Sequence, residues 1–307
     1  MTQASAGLKT RKGMVRIPGG TFAMGSDRHY SEEAPVREAT VDGFWLDDHP
    51  VTNLEFMRFV KATGHVTHAE RPPDPAQYPD AQEDLLFAGS VVFRKTDGPV
   101  DLGNHFNWWR WTRGADWRHP EGPESSLHGR ERHPVVHVAF SDAQAYADWA
   151  GKELPTEAEW ELAARGGLAG AEYAWGDELT PRGRQMANTW QGEFPYENTL
   201  DDGYEGTSPV GRFPPNGYGL FDMIGNVWEW TTSWYTSTHA TSPCCVGDLR
   251  AASVDPSDSA RIPRRVMKGG SHLCAPNYCR RYRPAARMAQ AIDTSTNHLG
   301  FRCLVRG

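Results

Sequence analysis

Two long stretches of this 307-residue chain lack the regular spacing of apolar residues that predicts helices or strands. They cover residues 74–132 and 170–216, and both are rich in glycine and proline. Connections of this length are uncommon in a compact domain unless they carry function or are held in place. The chain also contains 12 tryptophans, which bury large apolar areas without needing regular structure. The sequence therefore predicts a globular domain with a largely irregular backbone.

Three short helices are predicted from the residues at their ends. Each starts at a Ser or Thr with Glu or Gln three residues later, and each is followed by a glycine, which is typical of a capping box and a helix stop. The cap and stop residues are Thr52 and Gly64, Ser141 and Gly151, and Thr156 and Gly166. The residues expected to face the core are Leu54, Phe56, Met57 and Val60, then Ala145, Tyr146 and Trp149, then Trp160 and Ala163.

Short strands are predicted at residues 14–22 with a turn at Gly19-Gly20, and at residues 135–140, 266–271 and 299–305. The elements are not separated by a linker, a repeat or a low-complexity tract. We therefore expect one α+β domain over residues 14–307, with a small share of regular structure, after a flexible N-terminus at residues 1–13.

Charge and hydropathy exclude several kinds of partner. The net charge is −7, whereas binding to nucleic acid requires a basic face. No stretch reaches the apolar length that spans a bilayer, and residues 1–13 do not resemble a secretory signal. Five cysteines in a chain this long do not form a disulfide framework, and their odd number suggests free thiols. We expect a monomeric cytoplasmic protein with neither nucleic acid nor membrane as a partner.

Two of the cysteines, Cys274 and Cys279, are five residues apart and do not fit the Cys-x-x-Cys redox motif. A loop could bring their sulfurs together, and two thiolates with few other ligands select Cu(I). A tetrahedral zinc site needs four ligands, and His272 is the only further candidate nearby. Arginines that follow the pair would favour the thiolate form if they point inward. A structural disulfide and two unrelated buried cysteines remain alternatives.

Several segments together resemble the formylglycine-generating enzymes, also called sulfatase-modifying factors. They run from Ile17 to Ser26, Trp117 to Pro123, Leu154 to Glu161, Asn216 to Leu220, Gly225 to Trp230, Gly269 to Ser271 and Gly300 to Cys303. The resemblance implies a C-type-lectin-like fold, which also hosts non-enzymatic proteins and iron-dependent sulfoxide synthases. The segment from Gly269 to Arg283 resembles the active-site segment of the formylglycine-generating enzymes themselves, and Trp190 to Pro195 also points to that branch.

The resemblance implies that Cys274 and Cys279 bind Cu(I) and that dioxygen converts a cysteine of another polypeptide to Cα-formylglycine. The implied partner is an unfolded sulfatase segment with the motif Cys-x-Pro-x-Arg. Ser271, Tyr278 and Trp228 match family residues at the reaction site. Some relatives carry a histidine directly after the first cysteine, where this chain has alanine.

For the substrate groove, the resemblance implies roles for Trp108, Trp109 and Asp74, the last as the partner of the substrate arginine. A family glutamate and a family serine that assist in holding this arginine are replaced here by Pro50 and Pro75. Arginine recognition in this chain therefore departs from the family pattern.

The resemblance also implies two structural calcium ions, since carboxylate and carbonyl oxygens in irregular loops suit calcium. The first would bind Asn188, Thr189, Asp202 and Tyr204, and the second Asp222, Gly225, Val227 and Glu229. The alternative from the residues alone is a solvated acidic loop and an ordinary cap.

Some secreted relatives carry two disulfides, but three of the four cysteine positions are Ala147, Ala164 and Pro284 here, and only Cys303 remains. This agrees with a reducing cytosol. The adjacent Cys244 and Cys245 are interpreted as a surface thiol pair.

Two other classes compete with the enzyme reading. A lectin-like binding module has no need for the cysteine pair. A non-haem iron oxygenase needs two histidines and a carboxylate, and His133 and His137 have no carboxylate partner that the sequence identifies.

Overall fold

The computed structural model describes residues 11–237 and 248–307 of the chain. The predicted pair Cys244-Cys245 and residues 1–10 of the predicted N-terminal segment lie outside the described residues. The helices are α1 (Asn53–Thr63), α2 (Phe140–Trp149), α3 (Glu157–Arg165) and the short α4 (Leu249–Ala252). The strands are β1 (Met14–Ile17), β2 (Gly20–Met24), β3 (Arg37–Val41), β4 (Phe44–Asp47), β5 (Gly89–Phe93), β6 (Trp109–Arg113), β7 (Trp228–Trp234), β8 (Arg264–Lys268), β9 (Arg287–Ala291), β10 (Leu299–Gly300) and β11 (Leu304–Arg306).

The strands form small sheets that combine distant parts of the chain. One sheet has the order β1-β4-β11, and a larger one has the order β10-β7-β8-β9, while β2 pairs with β3 and β5 pairs with β6. Helices and strands in one mixed arrangement, joined by long irregular segments, confirm the α+β expectation. Within the described ranges, no helix has the length and apolar character needed to cross a membrane.

Two of the three helix predictions are confirmed in detail. Thr52 and Thr156 cap α1 and α3 through capping boxes, and Gly64 and Gly166 end them in the left-handed conformation. The third helix, α2, has a different start from the predicted Ser141, because Asp142 accepts a hydrogen bond from the backbone N–H of Ala139 at 2.9 Å. A carboxylate in the first turn thus does the capping.

The helix faces are also partly corrected. Phe56, Val60, Tyr146, Trp160 and Ala163 are buried as predicted. In contrast, Leu54, Met57 and Trp149 are exposed by 37%, 40% and 44%, and Ala145 is only partly buried, whereas the unpredicted Phe59 is buried. The core-facing stripe of α1 is therefore rotated toward Phe59.

The strand predictions near the termini hold approximately, and β1 begins at Met14. The prediction at residues 135–140 is wrong, because His137 has a φ of 59° and the backbone there bonds to separate loops. Val135 donates to Val51, His137 to Thr296 and Phe140 to Ile292, which satisfies the backbone without a ladder. The sequence analysis did not predict strands β3, β4, β5, β6, β7 and β9.

Buried ion pairs connect α3, and the loop between β2 and β3, to the chain around β8 and β9. Lys268 Nζ lies 3.0 Å from Glu161 Oε2, and both side chains are fully buried. Arg287 Nε lies 2.7 Å from Glu157 Oε1. Arg283 Nη1 donates to Glu33 at 2.8 Å, again inside the protein. Buried charges require such partners, because an unpaired ion in a low-dielectric interior is strongly destabilising.

We expect Glu33→Gln to lower the free energy of unfolding by about 3–5 kcal/mol, because it leaves the buried Arg283 guanidinium without a counter-charge. Denaturant unfolding measures this change. Glu121→Gln is the matched control, since Glu121 pairs with Arg130 at a site where both side chains are 41% exposed. Exposed pairs contribute about 0–1 kcal/mol. Equal losses in the two variants would show that the buried pair has no special weight.

Candidate active site

A tight reversal of the chain after β8 brings the two predicted cysteines together. Gly270 has a φ of 71°, and a Cβ there would lie 2.9 Å from the carbonyl oxygen of Arg281. Only glycine allows this approach without displacing the backbone. The Cys274 N–H then donates to the Ser271 carbonyl, and the Cys279 N–H donates to the Ala275 carbonyl, each at 3.0 Å. These two turns place both side chains on the same side of the segment.

The sulfur atoms of Cys274 and Cys279 lie 3.2 Å apart, and both residues are buried. This distance is well beyond the roughly 2.05 Å of a disulfide bond, and both are free thiols. Of the alternatives left open by the sequence, the structure has neither the disulfide nor two unrelated cysteines. It has a contacting thiol pair.

The pair has unequal proton affinities. A hydrogen bond from the Cys274 thiol lowers the pKa of Cys279 to about 7, opposed by burial and assisted by Arg281. Burial raises the pKa of Cys274 well above its ordinary value. Arg281 Nη1 lies 3.9 Å from the Cys279 sulfur, and Glu32 holds the guanidinium at 2.6 Å. The first proton that the pair loses, near neutral pH, therefore comes from Cys279, and Cys274 keeps its own.

A cavity of about 450 Å³ opens directly onto the thiols. The predicted catalytic and groove residues that line it are Ser271, Cys274, Tyr278, Cys279, Trp228, Trp108 and Trp109. Apart from the predicted substrate residue Asp74, every residue proposed for catalysis or substrate binding is thus brought to one place. The site is therefore a pocket whose lining includes both thiols.

Aromatic rings shape the wall next to the thiols. Tyr278 stacks on Phe194 with a centroid distance of 4.6 Å and an angle of 6°, and Trp108 meets Tyr278 edge-on at 5.1 Å. Trp108 is fully buried, so it forms the rear of this wall. Trp109 stacks on His298 at 4.9 Å nearer the opening. Burial raises the pKa of Tyr278 to about 12, so its hydroxyl keeps its proton at neutral pH.

Asp74 lies apart from the residues that line this cavity. It is exposed, and its carboxylate accepts a hydrogen bond from the Ala76 N–H at 3.0 Å. Pro50 is buried and Pro75 is exposed, so neither proline supplies a polar group to replace the family residues. The role of Asp74 in holding a substrate arginine stays a prediction.

Several cavity residues were not predicted. Phe194 lies in a segment used only to mark the family, and His298 had no sequence signal beyond its position before β10. Burial lowers the pKa of His298 to about 3, and its Nδ1 lies 3.1 Å from the Thr296 hydroxyl, so the ring is neutral. Met267 and Met288 also line the cavity.

The first predicted calcium site has the features of an oxygen-ligand site. Asn188 is buried, and its Nδ2 donates to the Gly206 carbonyl at 2.9 Å, while its Oδ1 has no hydrogen-bond partner. Asp202 accepts from the N–H groups of Thr189 and Tyr204 at 3.1 and 2.9 Å, which brings these residues together. Burial raises the pKa of Asp202, as expected for a carboxylate without a nearby cation. These oxygens suit a calcium ion, which would replace the Gln191 amide that now donates to the Thr189 carbonyl and, at 2.9 Å, to Asp202.

The second predicted calcium site is arranged differently. Both oxygens of Glu229 accept from Arg302, at 2.7–3.0 Å, and Trp160 Nε1 donates to the same carboxylate at 2.8 Å. Asp222 accepts from the Gly211 N–H at 2.7 Å, and burial raises its pKa to about 6. A guanidinium already neutralises Glu229, so these residues do not fit a second calcium in this arrangement.

The two histidines of the iron-oxygenase alternative, His133 and His137, make hydrogen bonds within the protein. His137 is buried, and its two ring nitrogens lie 2.7 Å from the Ser90 hydroxyl and 2.8 Å from the Pro120 carbonyl. His133 Nδ1 lies 2.9 Å from the Thr207 hydroxyl. In residues 11–237 and 248–307, no three His, Cys, Asp or Glu side chains are grouped to hold a metal. The contacts of His137 leave it without a free nitrogen for a metal.

Comparison with known proteins agrees with this fold and site. The chain matches the sulfatase-modifying factor enzyme 1-like domain over residues 2–306. Its structure is similar to that of PvdO from Pseudomonas aeruginosa, with a TM-score of 0.62 and 25% identity, covering 96% of this chain and 94% of that one. Fold and site together define a single-domain protein of the class built on this domain.

Two relatives place the chain more closely. It is 56% identical over 295 residues to the formylglycine-generating enzyme of Mycobacterium tuberculosis, covering 95% of this chain and 97% of the relative. It is 39% identical over 302 residues to the inactive C-alpha-formylglycine-generating enzyme 2 of Bos taurus, covering 94% and 87%. The chain belongs to the sulfatase-modifying factor family, and within it to the formylglycine-generating enzymes.

The thiol pair makes a testable prediction in a background where Cys244 and Cys245 are replaced by serine. We expect one thiolate to appear with a midpoint at pH about 7 when its ultraviolet absorbance is followed. Cys274→Ala should move this midpoint upward, because a hydrogen bond to the charged form lowers a pKa and its loss raises it. Cys303→Ala, at a buried thiol outside the cavity, should leave the midpoint unchanged. An unchanged midpoint in Cys274→Ala would contradict the assignment.

Proposed function

We propose that this protein uses Cu(I), bound by Cys274 and Cys279, to oxidise a cysteine in an unfolded sulfatase segment to Cα-formylglycine with dioxygen. The observation that carries the proposal is the pair of free, buried thiols 3.2 Å apart at the base of an aromatic cavity. The kinship with enzymes named for generating formylglycine supports the same reaction. A binding module would not require two thiols in contact.

The donor set supports copper rather than a harder metal. Two thiolates are soft ligands and select Cu(I), whereas zinc sites in proteins are usually completed by four ligands. His272, the further candidate, bonds through Nδ1 to the Asn226 carbonyl at 2.8 Å and lines a different cavity. When bound, copper would supply a site at which dioxygen is activated beside the substrate sulfur.

The residues of the chain hold and shield the reacting groups. The Ser271 N–H donates to the Cys274 sulfur at 3.4 Å, which fixes the position of that sulfur. The Ser271 hydroxyl oxygen accepts from the Leu273 N–H at 3.2 Å, so its own proton remains free to donate into the cavity. Trp228 is held through its backbone N–H, which donates to the His298 carbonyl at 2.8 Å. Together with Tyr278, it lines the cavity beside the thiols.

The substrate supported by this shape is an extended cysteine-containing segment of the type Cys-x-Pro-x-Arg. A folded domain would not reach thiols at the base of the cavity, whereas an unfolded chain can enter it. Exposed rings such as Phe106, which is 68% exposed, offer apolar contacts at the opening. Asp74 is proposed as the partner of the substrate arginine. The free thiols at Cys274, Cys279 and Cys303 support a reducing cytoplasm as the compartment in which the protein works.

We also propose that one structural calcium ion binds at Asn188, Thr189, Asp202 and Tyr204. The unpartnered, buried Oδ1 of Asn188 supports this site, because buried acceptors are otherwise satisfied. Trp190 directly follows Thr189, and its backbone N–H donates to the Cys274 carbonyl at 3.1 Å. An ion here would therefore stabilise the backbone that supports the active-site segment.

The reaction is tested with purified protein, Cu(I), oxygen and a peptide containing Cys-x-Pro-x-Arg. We expect mass spectrometry to show a product that has lost sulfur and gained oxygen, as the thiol becomes an aldehyde. Cys274→Ala and Cys279→Ala should each abolish this product, while Cys303→Ala should retain it, since this buried thiol lies outside the cavity. An unchanged peptide at full copper occupancy of the unmodified chain would refute the proposed reaction.

Calcium is tested by thermal unfolding with and without a chelator. Chelation should lower the melting temperature, with a loss near 2.7 kcal/mol when calcium had stood at about 100 times its dissociation constant. Asp202→Asn should show a much smaller response to calcium. Asp201→Asn is the matched control, because the neighbouring Asp201 is exposed while Asp202 is partly buried. Identical responses of both variants to calcium would place the ion elsewhere.

A further inference from the structure

We propose that Met288 and Met267 form a transient Cu(I)-binding site that passes the ion from the surface to the cysteine pair. The proposal rests on the proposed function, because it assumes that the cysteines are the final copper ligands. It assigns a role to two cavity residues that the reaction itself does not use.

The two methionines are direct partners across the β8–β9 ladder. Opposite residues of antiparallel strands point to the same face, with Cβ atoms about 4.5–5.5 Å apart. Both side chains line the cavity that contains Cys274 and Cys279. Two thioethers and two thiols therefore share one continuous lining.

The burial of these side chains is graded from the surface inward. Met288 is 41% exposed, on the edge strand of its sheet, whereas Met267 is 1% exposed. Cys274 and Cys279 are buried in the same lining. A copper carrier at the surface would meet the exposed Met288 before the buried thiols, so the methionines lie where an entering ion could first be bound.

The chemistry of the donors matches a transient role. Thioether sulfur is a soft ligand that selects Cu(I), like thiolate, but it carries no charge. Transfer is a ligand exchange without a change in oxidation state: thioether–copper bonds break as thiolate–copper bonds form, and the Cys274 proton leaves to solvent. The neutral donors bind more weakly than the thiolates, so the ion ends on the cysteines.

A different role for Met288 would be plain apolar contact with the substrate. Leucine separates the two roles, because Met→Leu keeps volume and apolar character while removing the sulfur, usually at a cost below about 1.5 kcal/mol. The chain also provides a matched control in Met57 on α1. This methionine is 40% exposed, close to the 41% of Met288, but it does not line the cavity.

The first experiment measures Cu(I) transfer without oxygen or substrate, in a background with Cys244→Ser and Cys245→Ser. Copper is supplied as a coloured chelator complex, and the loss of its absorbance gives the transfer rate. Met288→Leu and Met267→Leu should each slow transfer about tenfold, equivalent to about 1.4 kcal/mol in the barrier, with the equilibrium affinity unchanged. Met57→Leu should transfer at the unmodified rate. A Met288→Leu rate equal to that of Met57→Leu would overturn the proposal.

The second experiment observes the methionines directly. In Cys274→Ala/Cys279→Ala protein carrying ¹³C-labelled methionine methyl groups, added Cu(I) should shift the signals of Met267 and Met288 and leave that of Met57 in place. Absence of these shifts would refute the thioether site. If this double-alanine variant instead bound Cu(I) as tightly as the parent protein, the cysteine copper site would be wrong, which is a separate outcome from failure of the methionine site.

Discussion

Buried ion pairs at both ends of the cysteine segment are the constraint on which the site depends. Residues 269–286, between β8 and β9, contain no strand or helix, yet they hold two sulfurs at 3.2 Å. Lys268 enters this segment paired with Glu161, and Arg283 leaves it paired with Glu33. Breaking such a pair leaves a buried charge unpaired, so each end has few alternative positions. The irregular segment between Lys268 and Arg283 is therefore held in position at both ends.

Helix α3 is the element that joins these interactions to the rest of the fold. Its acidic residues Glu157, Glu159 and Glu161 pair with Arg287, Arg306 and Lys268, all from the C-terminal part of the chain. Its Trp160 donates to Glu229, and Gly269 passes so close to the ring that a Cβ there would lie 3.1 Å from it. A nine-residue helix thus fixes the start of the active-site segment, the sheet beneath the cavity and the C-terminal strand together.

The sequence predicted the parts of this structure that local chemistry determines. Capping boxes located α1 and α3, because a threonine and a glutamate three residues apart satisfy backbone groups within one turn. The apolar residues at 135–140 suggested a strand, but they are buried because separate loops pack around an irregular backbone. The spacing of the two cysteines left a disulfide, a metal site and two unrelated thiols all open. Only the family resemblance indicated a metal-binding active site. His298, Met267 and Met288 could not be found from the sequence, because only the pairing of distant strands brings them to the cavity.

The charge of the thiol pair does not by itself select the ion. Two thiolates with a singly charged ion keep one negative charge, whereas two thiolates with a divalent ion are neutral. The nearby cation Arg281 is already paired with Glu32, so it offsets a buried negative charge only in part. The preference for Cu(I) therefore comes from the softness of the two sulfurs and from the small number of further ligands, since His272 bonds elsewhere to the Asn226 carbonyl.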